Sequence, residues 1–205
     1  MQQQVDVAIV GCGPAGVVLA ALLGQAGHRV HACDRLPGVY EIPRAIALDH
    51  EVLRVFQQIG VIEQVLPFIE PFTPSEYIGV DGQLIRRMTM VHPPYPQGYT
   101  PSVVFTQPQV EQVLRDRVAA MPGVTLALGV EMTGFEQDAD GVSLSYADGS
   151  RVRARYAVAC DGGASGMRTM DSSIQALYDQ RMISGKEAFK KAISKARFEA
   201  VKDQG

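Results

Sequence analysis

Apolar residues come as a near-continuous run at the start of the chain, at helical spacing through its middle, and in alternation towards residue 160. Val5 to Val10 (VDVAIV) reads as a buried strand. It stops at Gly11, and from about Pro14 to Gln25 it gives way to a helical stretch that ends at Gly27. Arg29 to Asp34 predicts a second strand. Leu36 to Arg44 predicts a loop, with Pro37, Gly38 and Pro43 as breakers. A second helix is expected from Asp49, as its cap, through EVLRVFQQI to Gly60, with Leu53, Val55, Phe56 and Ile59 as its apolar stripe. A short helix follows over Val61 to Val65.

From Glu76 the period shortens to two. Glu76–Val80 and Gln83–Met90 flank Asp81-Gly82, a pair that predicts a tight hairpin turn. His92 to Gly98 is irregular, Val103 to Thr106 is a short strand, and Gln109 to Met121 is a helix with Val110, Val113, Leu114 and Val118 on one face. A four-stranded meander then covers Val124–Leu128, Glu131–Asp138, Val142–Tyr146 and Val152–Cys160, turning at Asp140-Gly141 and Asp148-Gly149. Its last strand is apolar along its end, which predicts that it re-enters the opening sheet. The fold class expected is α/β: a Rossmann-like parallel sheet with an inserted β-meander and hairpin, plus a C-terminal helical tail.

The junction after the first strand carries the chemistry. Gly11-Cys12-Gly13-Pro14-Ala15-Gly16 is a G-x-G-x-x-G set between a strand and a helix, the context in which that motif binds a dinucleotide. Gly11 permits a tight turn, Gly13 leaves room for a pyrophosphate against the backbone, and Gly16 lets helix and strand pack closely. The free N–H groups and positive dipole end of the helix favour phosphate. Asp34 stands 23 positions after Gly11, near the spacing of roughly 20 for an acid that binds an adenosine ribose. An acid there disfavours a 2′-phosphate, so FAD or NAD is indicated without a choice between them.

Composition narrows the class only a little. The 205 residues are 46% hydrophobic and 20% charged with a net charge of -3, as in an ordinary globular protein. Slight acidity with no basic cluster argues against a nucleic-acid partner. No apolar run reaches membrane-spanning length, and MQQQ does not read as a signal peptide. The odd count and wide spacing of Cys12, Cys33 and Cys160 suit buried, reduced thiols in a cytoplasmic protein. The four histidines have no metal-ligand spacing, so no metal is expected.

Three further elements follow in order: Pro43-Arg44-Ala45, Gln107-Pro108 ahead of a helix bearing Glu111 and Leu114, and Cys160-Asp161-Gly162-Gly163-Ala164-Ser165-Gly166-Met167-Arg168. With the glycine turn and Asp34, they resemble the single-component FAD-dependent aromatic hydroxylases of the para-hydroxybenzoate hydroxylase type. PRAIALDHEVLRVFQQIGVIEQVLP and YAVACDGGASGMR are most similar to that family's 3-(3-hydroxyphenyl)propionate hydroxylase branch. The resemblance implies that Gly11, Gly13, Pro14, Ala15 and Gly16 hold the FAD pyrophosphate. Asp34 would bind the adenosine ribose, with Arg35 beside the adenine end. Arg44 would contact the pyrophosphate and help admit NAD(P)H, Gln107 would lie along the ribityl and diphosphate path, and Asp161 would face FAD. Ala164 stands where many relatives have arginine. The implied reaction uses NAD(P)H and O2 to hydroxylate a phenolic aromatic acid, with no side-chain nucleophile.

The resemblance covers residues 1–168, an incomplete N-terminal FAD-binding part of a hydroxylase. The family's later G-D-A-A-H-x-x-x-P segment, which supports the flavin ring, is not in this sequence. Residues 169–205 are helical in pattern, with Ser172 or Ser173 as one cap and Ser184 with Glu187 as a capping box. This tail weakly resembles the C-terminal end of pilus-retraction ATPases, but no Walker A sequence accompanies it. Later strands of the parent fold are missing, so an exposed sheet edge or apolar face is expected, to be covered by the tail or by a second copy in a homo-oligomer. The residues leave two other readings open: a complete short NAD- or FAD-dependent oxidoreductase, and a Rossmann scaffold that acts through its tail.

Overall fold

The computed structural model describes residues 3–43, 45–72, 74–89, 92–162, 184, 186, 189 and 199–203. It divides into two units, Met1–Cys160 and Asp161–Gly205. In the first, the elements run β1 (Gln3–Val10), α1 (Pro14–Gln25), β2 (Val30–Asp34), β3 (Ala47–Asp49), α2 (His50–Gln58), α3 (Ile62–Val65), β4 (Ile69–Pro71), β5 (Ser75–Ile78), β6 (Leu84–Met88), β7 (Ser102–Phe105), α4 (Gln107–Ala119), β8 (Val124–Leu128), β9 (Met132–Asp138), β10 (Gly141–Tyr146) and β11 (Arg151–Ala159).

The main sheet has the order β8-β2-β1-β11-β10-β9. β8, β2, β1 and β11 are parallel, and β10 and β9 return antiparallel. β1 is therefore paired on both edges and covered on both faces, which is why its sequence is an apolar run rather than an alternation. Val7 and Ile9 pack with Val17 and Ala20 of α1 and Leu114 of α4, while Ala8 packs with Cys33, Leu144 and Val152. The helical face is the larger core and carries the turn between β1 and α1.

The expectation that β11 re-enters the opening sheet holds: Val10 pairs with Ala159 in parallel register. The four-strand meander needs correction. Val124–Leu128 pairs in parallel with β2, at the opposite edge from β9. It follows α4, and a strand that returns through a helical crossover joins its sheet in parallel. Only β9, β10 and β11 form the meander. Two three-residue strands, β3 and β4, were not foreseen, and both pair with β7. The hairpin forms, but the tight two-residue turn widens to residues 79–83: Gly79 N donates to Gln83 O at 2.9 Å, and Gly82 takes φ +76°. Exposed apolar side chains are present, Val80 and Ile85 on the hairpin, Phe135 on β9 and Tyr156 on β11. Among the described residues no helix is long and apolar enough to cross a membrane.

In the second unit, Lys186 and Phe189 are helical and Glu199–Val201 forms one turn of 3-10 helix, where Lys202 pairs with Glu199. Ser172, Ser173 and Glu187, the expected caps of the tail, lie outside the described residues.

Candidate functional site

The site begins where β1 stops. Gly11 takes φ +103°, a conformation that favours glycine, and its N–H donates to Cys33 O at 2.7 Å. Gly13 follows as the N-cap of α1, and Pro14 supplies the first helical residue. Val17 N donates to Gly13 O at 3.0 Å. The N–H groups of Gly16 and Ala15, one and two positions before Val17, have no acceptor inside the helix. No side chain caps this end, and no acid stands in its first turn. A Cβ at Gly16 would lie 1.9 Å from Gly11 O and 3.2 Å from Cys160 Cβ, so close packing accounts for this glycine.

Asp34 closes β2 beside the turn. One carboxylate oxygen accepts from Cys12 N at 2.7 Å, the other from Leu36 N at 2.9 Å. Its backbone oxygen accepts from Val130 N at 2.9 Å. An ionised carboxylate has about four acceptor directions, so this one is fixed in place with capacity left for two hydroxyls. Arg35, next to it, is exposed.

The Cys12 thiol points into the core. Burial first, and the Asp34 carboxylate second, push it up to about 12. A thiol held that high is no nucleophile near neutrality, in keeping with a small residue filling a variable position of the motif. Cys33 is buried and Cys160 half-buried, and none of the three is in a disulfide.

Gln107 was expected ahead of a helix; it is instead the first residue of α4 and is buried. Its Oε1 accepts from Ala45 N at 2.9 Å, tying α4 to the Pro43-Arg44-Ala45 loop. Arg44 itself lies outside the described residues, as do Ala164 and Arg168. Asp161 opens the second unit, and both of its carboxylate oxygens are shielded from solvent with no hydrogen-bond partner among the described residues.

Glu111 and Arg115 were not foreseen as site residues. They form an ion pair at 2.8 Å on α4, with 2% and 4% of their side chains exposed. Their four-residue spacing from each other and from Gln107 was the available signal, because it places all three on one helix face.

Sequence comparison agrees with this geometry. Residues 4–181 match the family model described as an FAD binding domain. The chain belongs to that FAD-binding domain family. The glycine cradle, the uncapped helix start and the anchored acid fit the adenosine–pyrophosphate half of FAD. A probable NADH-specific resorcinol 4-hydroxylase of Rhodococcus jostii (strain RHA1) is 38% identical over 167 residues, 79% of this chain and 31% of that protein. A 3-(3-hydroxy-phenyl)propionate/3-hydroxycinnamic acid hydroxylase of Escherichia coli (strain K12) is 35% identical over 172 residues, 82% of this chain and 31% of that protein. Among solved structures, the flavin-dependent monooxygenase PieE in complex with FAD and substrate superposes with a TM-score of 0.67 at 26% identity, over 78% of this chain and 30% of PieE. The chain thus spans about a third of the length of the curated relatives it matches.

Proposed function

We propose that this FAD-binding domain serves an NAD(P)H-dependent flavoprotein monooxygenase that hydroxylates a phenolic aromatic acid of the 3-(3-hydroxyphenyl)propionate kind. Residues 1–168 hold the cofactor, and residues 169–205 are a separate helical tail. The observation that carries the reading is the Asp34 carboxylate, fixed 2.7 Å from Cys12 N at the mouth of an uncapped helix.

The proposed roles are these. The Ala15 and Gly16 amides, with the α1 dipole, receive the pyrophosphate, and Gly11 and Gly13 keep side chains out of its way. Asp34 accepts from the adenosine ribose, and exposed Arg35 flanks the adenine. Gln107 holds the backbone of Ala45, and its neighbour Arg44 would contact the phosphates, as the family resemblance implies. Asp161 would face FAD, as the family resemblance implies. When bound, FAD supplies hydride acceptance from NAD(P)H and activation of O2 for transfer of one oxygen atom to the ring. The protein's share is to bind, to orient and to exclude water. Three cysteines outside any disulfide support a reducing, cytoplasmic setting.

FAD titration of the purified chain, read by quenching of flavin fluorescence, tests this reading. Saturable binding weaker than about 1 μM is expected, since only the adenosine–pyrophosphate half has visible support. No NAD(P)H oxidation is expected from the chain alone with 3-(3-hydroxyphenyl)propionate. Absence of binding at any accessible FAD concentration refutes the proposal, and submicromolar binding refutes its claim that only half of the site is built.

A further inference from the structure

α4 carries two stripes at the same spacing. Val110, Leu114 and Val118 form the apolar one and belong to the core that also contains Cys12 and Val17. Gln107, Glu111 and Arg115 form a polar one that is equally buried, at 4%, 2% and 4% exposure, over about 12 Å of helix. Gln107 at its head holds Ala45. Arg115 Nη2 donates to Glu111 Oε1 at 2.8 Å, yet among the described residues Arg115 Nε and Nη1 and Glu111 Oε2 have no hydrogen-bond partner. A buried ion pair gains little for stability over well-packed apolar residues, and a pair left with three open polar atoms gains less. This is a poor way to build a core and a reasonable way to keep a charge inside one.

We propose that Arg115 is a positioning residue for the nucleotide: a buried positive charge on the helix packed against α1 that strengthens binding of the pyrophosphate, with Glu111 tempering it. The placement supports this. α4 packs against α1, and Leu114, next to Arg115, shares the core cluster with Cys12 of the turn. At Cys12, burial and then the Asp34 carboxylate raise the thiol, and the Arg115 charge opposes them. A guanidinium keeps its charge in any surroundings, and shielding by protein instead of water lengthens its reach. The inference rests on the α1 start being the phosphate site.

The test is calorimetric titration of the full chain with ADP and, separately, with adenosine, which lacks the phosphates. Arg115→Met is expected to weaken ADP binding about tenfold and to leave adenosine binding unchanged, while Arg115→Lys stays within about threefold of the parent. Glu111→Gln, which keeps the shape and removes the tempering charge, is expected to tighten ADP binding about threefold even as the fold loses stability. A packing role predicts the opposite sign for Glu111→Gln and equal losses for ADP and adenosine in Arg115→Met. Should Arg115→Met fail to fold, the sign of the Glu111→Gln effect still decides. Parallel changes for both ligands, a loss in Arg115→Lys as large as in Arg115→Met, or ADP affinities unmoved by either charge change would overturn the inference alone. A parent chain that binds no ADP would overturn the cofactor reading and this inference with it.

Discussion

The first two helices start in opposite ways. α2 is closed by its own sequence: Asp49 sits in extended backbone, its Oδ1 accepts from Val52 N at 2.9 Å, and Glu51 adds an acid to the first turn. Both features oppose the positive end of the helix dipole. α1 has Gly13 at the same position, with no cap bond and no acid in its first turn. A missing cap costs a helix about 1 kcal/mol. α1 is held by packing instead, through the buried Gly16, Val17, Ala20 and Ala21. What α2 obtains from a carboxylate of its own, α1 leaves, on the proposed function, to be supplied by the phosphates of FAD. An uncapped start is thus a measure of reserved space as well as of lost stability.

The largest expected effect comes from removing the close approach that shapes the open end. In Gly16→Val the new Cβ meets a backbone oxygen at 1.9 Å, which no side-chain rotation relieves. Strand and helix must part, and a loss of about 3 kcal/mol or more is expected from such overpacking, read as a collapse of the thermal transition. A Gly16→Val chain that melts like its parent would show that α1 does not need the glycine turn to dock.

Next is an attempt to give α1 the start that α2 has. Gly13 takes φ -71° and ψ -178°, extended backbone that any residue adopts. Gly13→Asp therefore installs a cap without backbone strain. The melting temperature is expected to hold or rise, while FAD affinity falls by about a hundredfold, because the carboxylate occupies and repels the phosphate position. Unchanged FAD binding in this variant would break the comparison, since the open start would then be incidental.

Asp34 works on both sides of the contrast. Asp34→Ala leaves Cys12 N and Leu36 N without the acceptors seen at 2.7 and 2.9 Å. A stability loss of about 1–3 kcal/mol is expected, with FAD binding weakened about tenfold as the ribose acceptor goes. Denaturant unfolding and FAD titration read the two effects separately. A loss of stability with full FAD affinity would reduce Asp34 to a turn-former.

How much of this was legible in the sequence follows from how local each cause is. β1, the glycine turn, α1 and Asp34 sit within 35 residues, and each has a local reason: a doubly covered strand, a positive-φ turn, a helix start, an acid at a strand end. β3, β4 and the true place of β8 have remote reasons, since each is defined by a partner far along the chain. Three residues such as Ala47–Asp49 show no period of their own. Glu111 and Arg115 were hidden differently. A Glu–Arg pair four apart is the usual mark of a solvated helix face, and its spacing alone does not say which face is covered.

The smallest expected effect is at the closed start. Asp49→Ala removes the bond to Val52 N and leaves Glu51 and the α2 core contacts of Leu53 and Phe56 in place. A loss of about 1 kcal/mol is expected, the usual cost of a cap, seen as a small drop in the denaturation midpoint with an unchanged slope. FAD affinity should not move, because α2 completes itself. Equal damage to FAD binding from Asp49→Ala and Gly13→Asp would mean that both variants act through general loosening of the fold. Damage confined to Gly13→Asp would mean that the two helix starts differ in purpose, one built to be stable and the other to be filled.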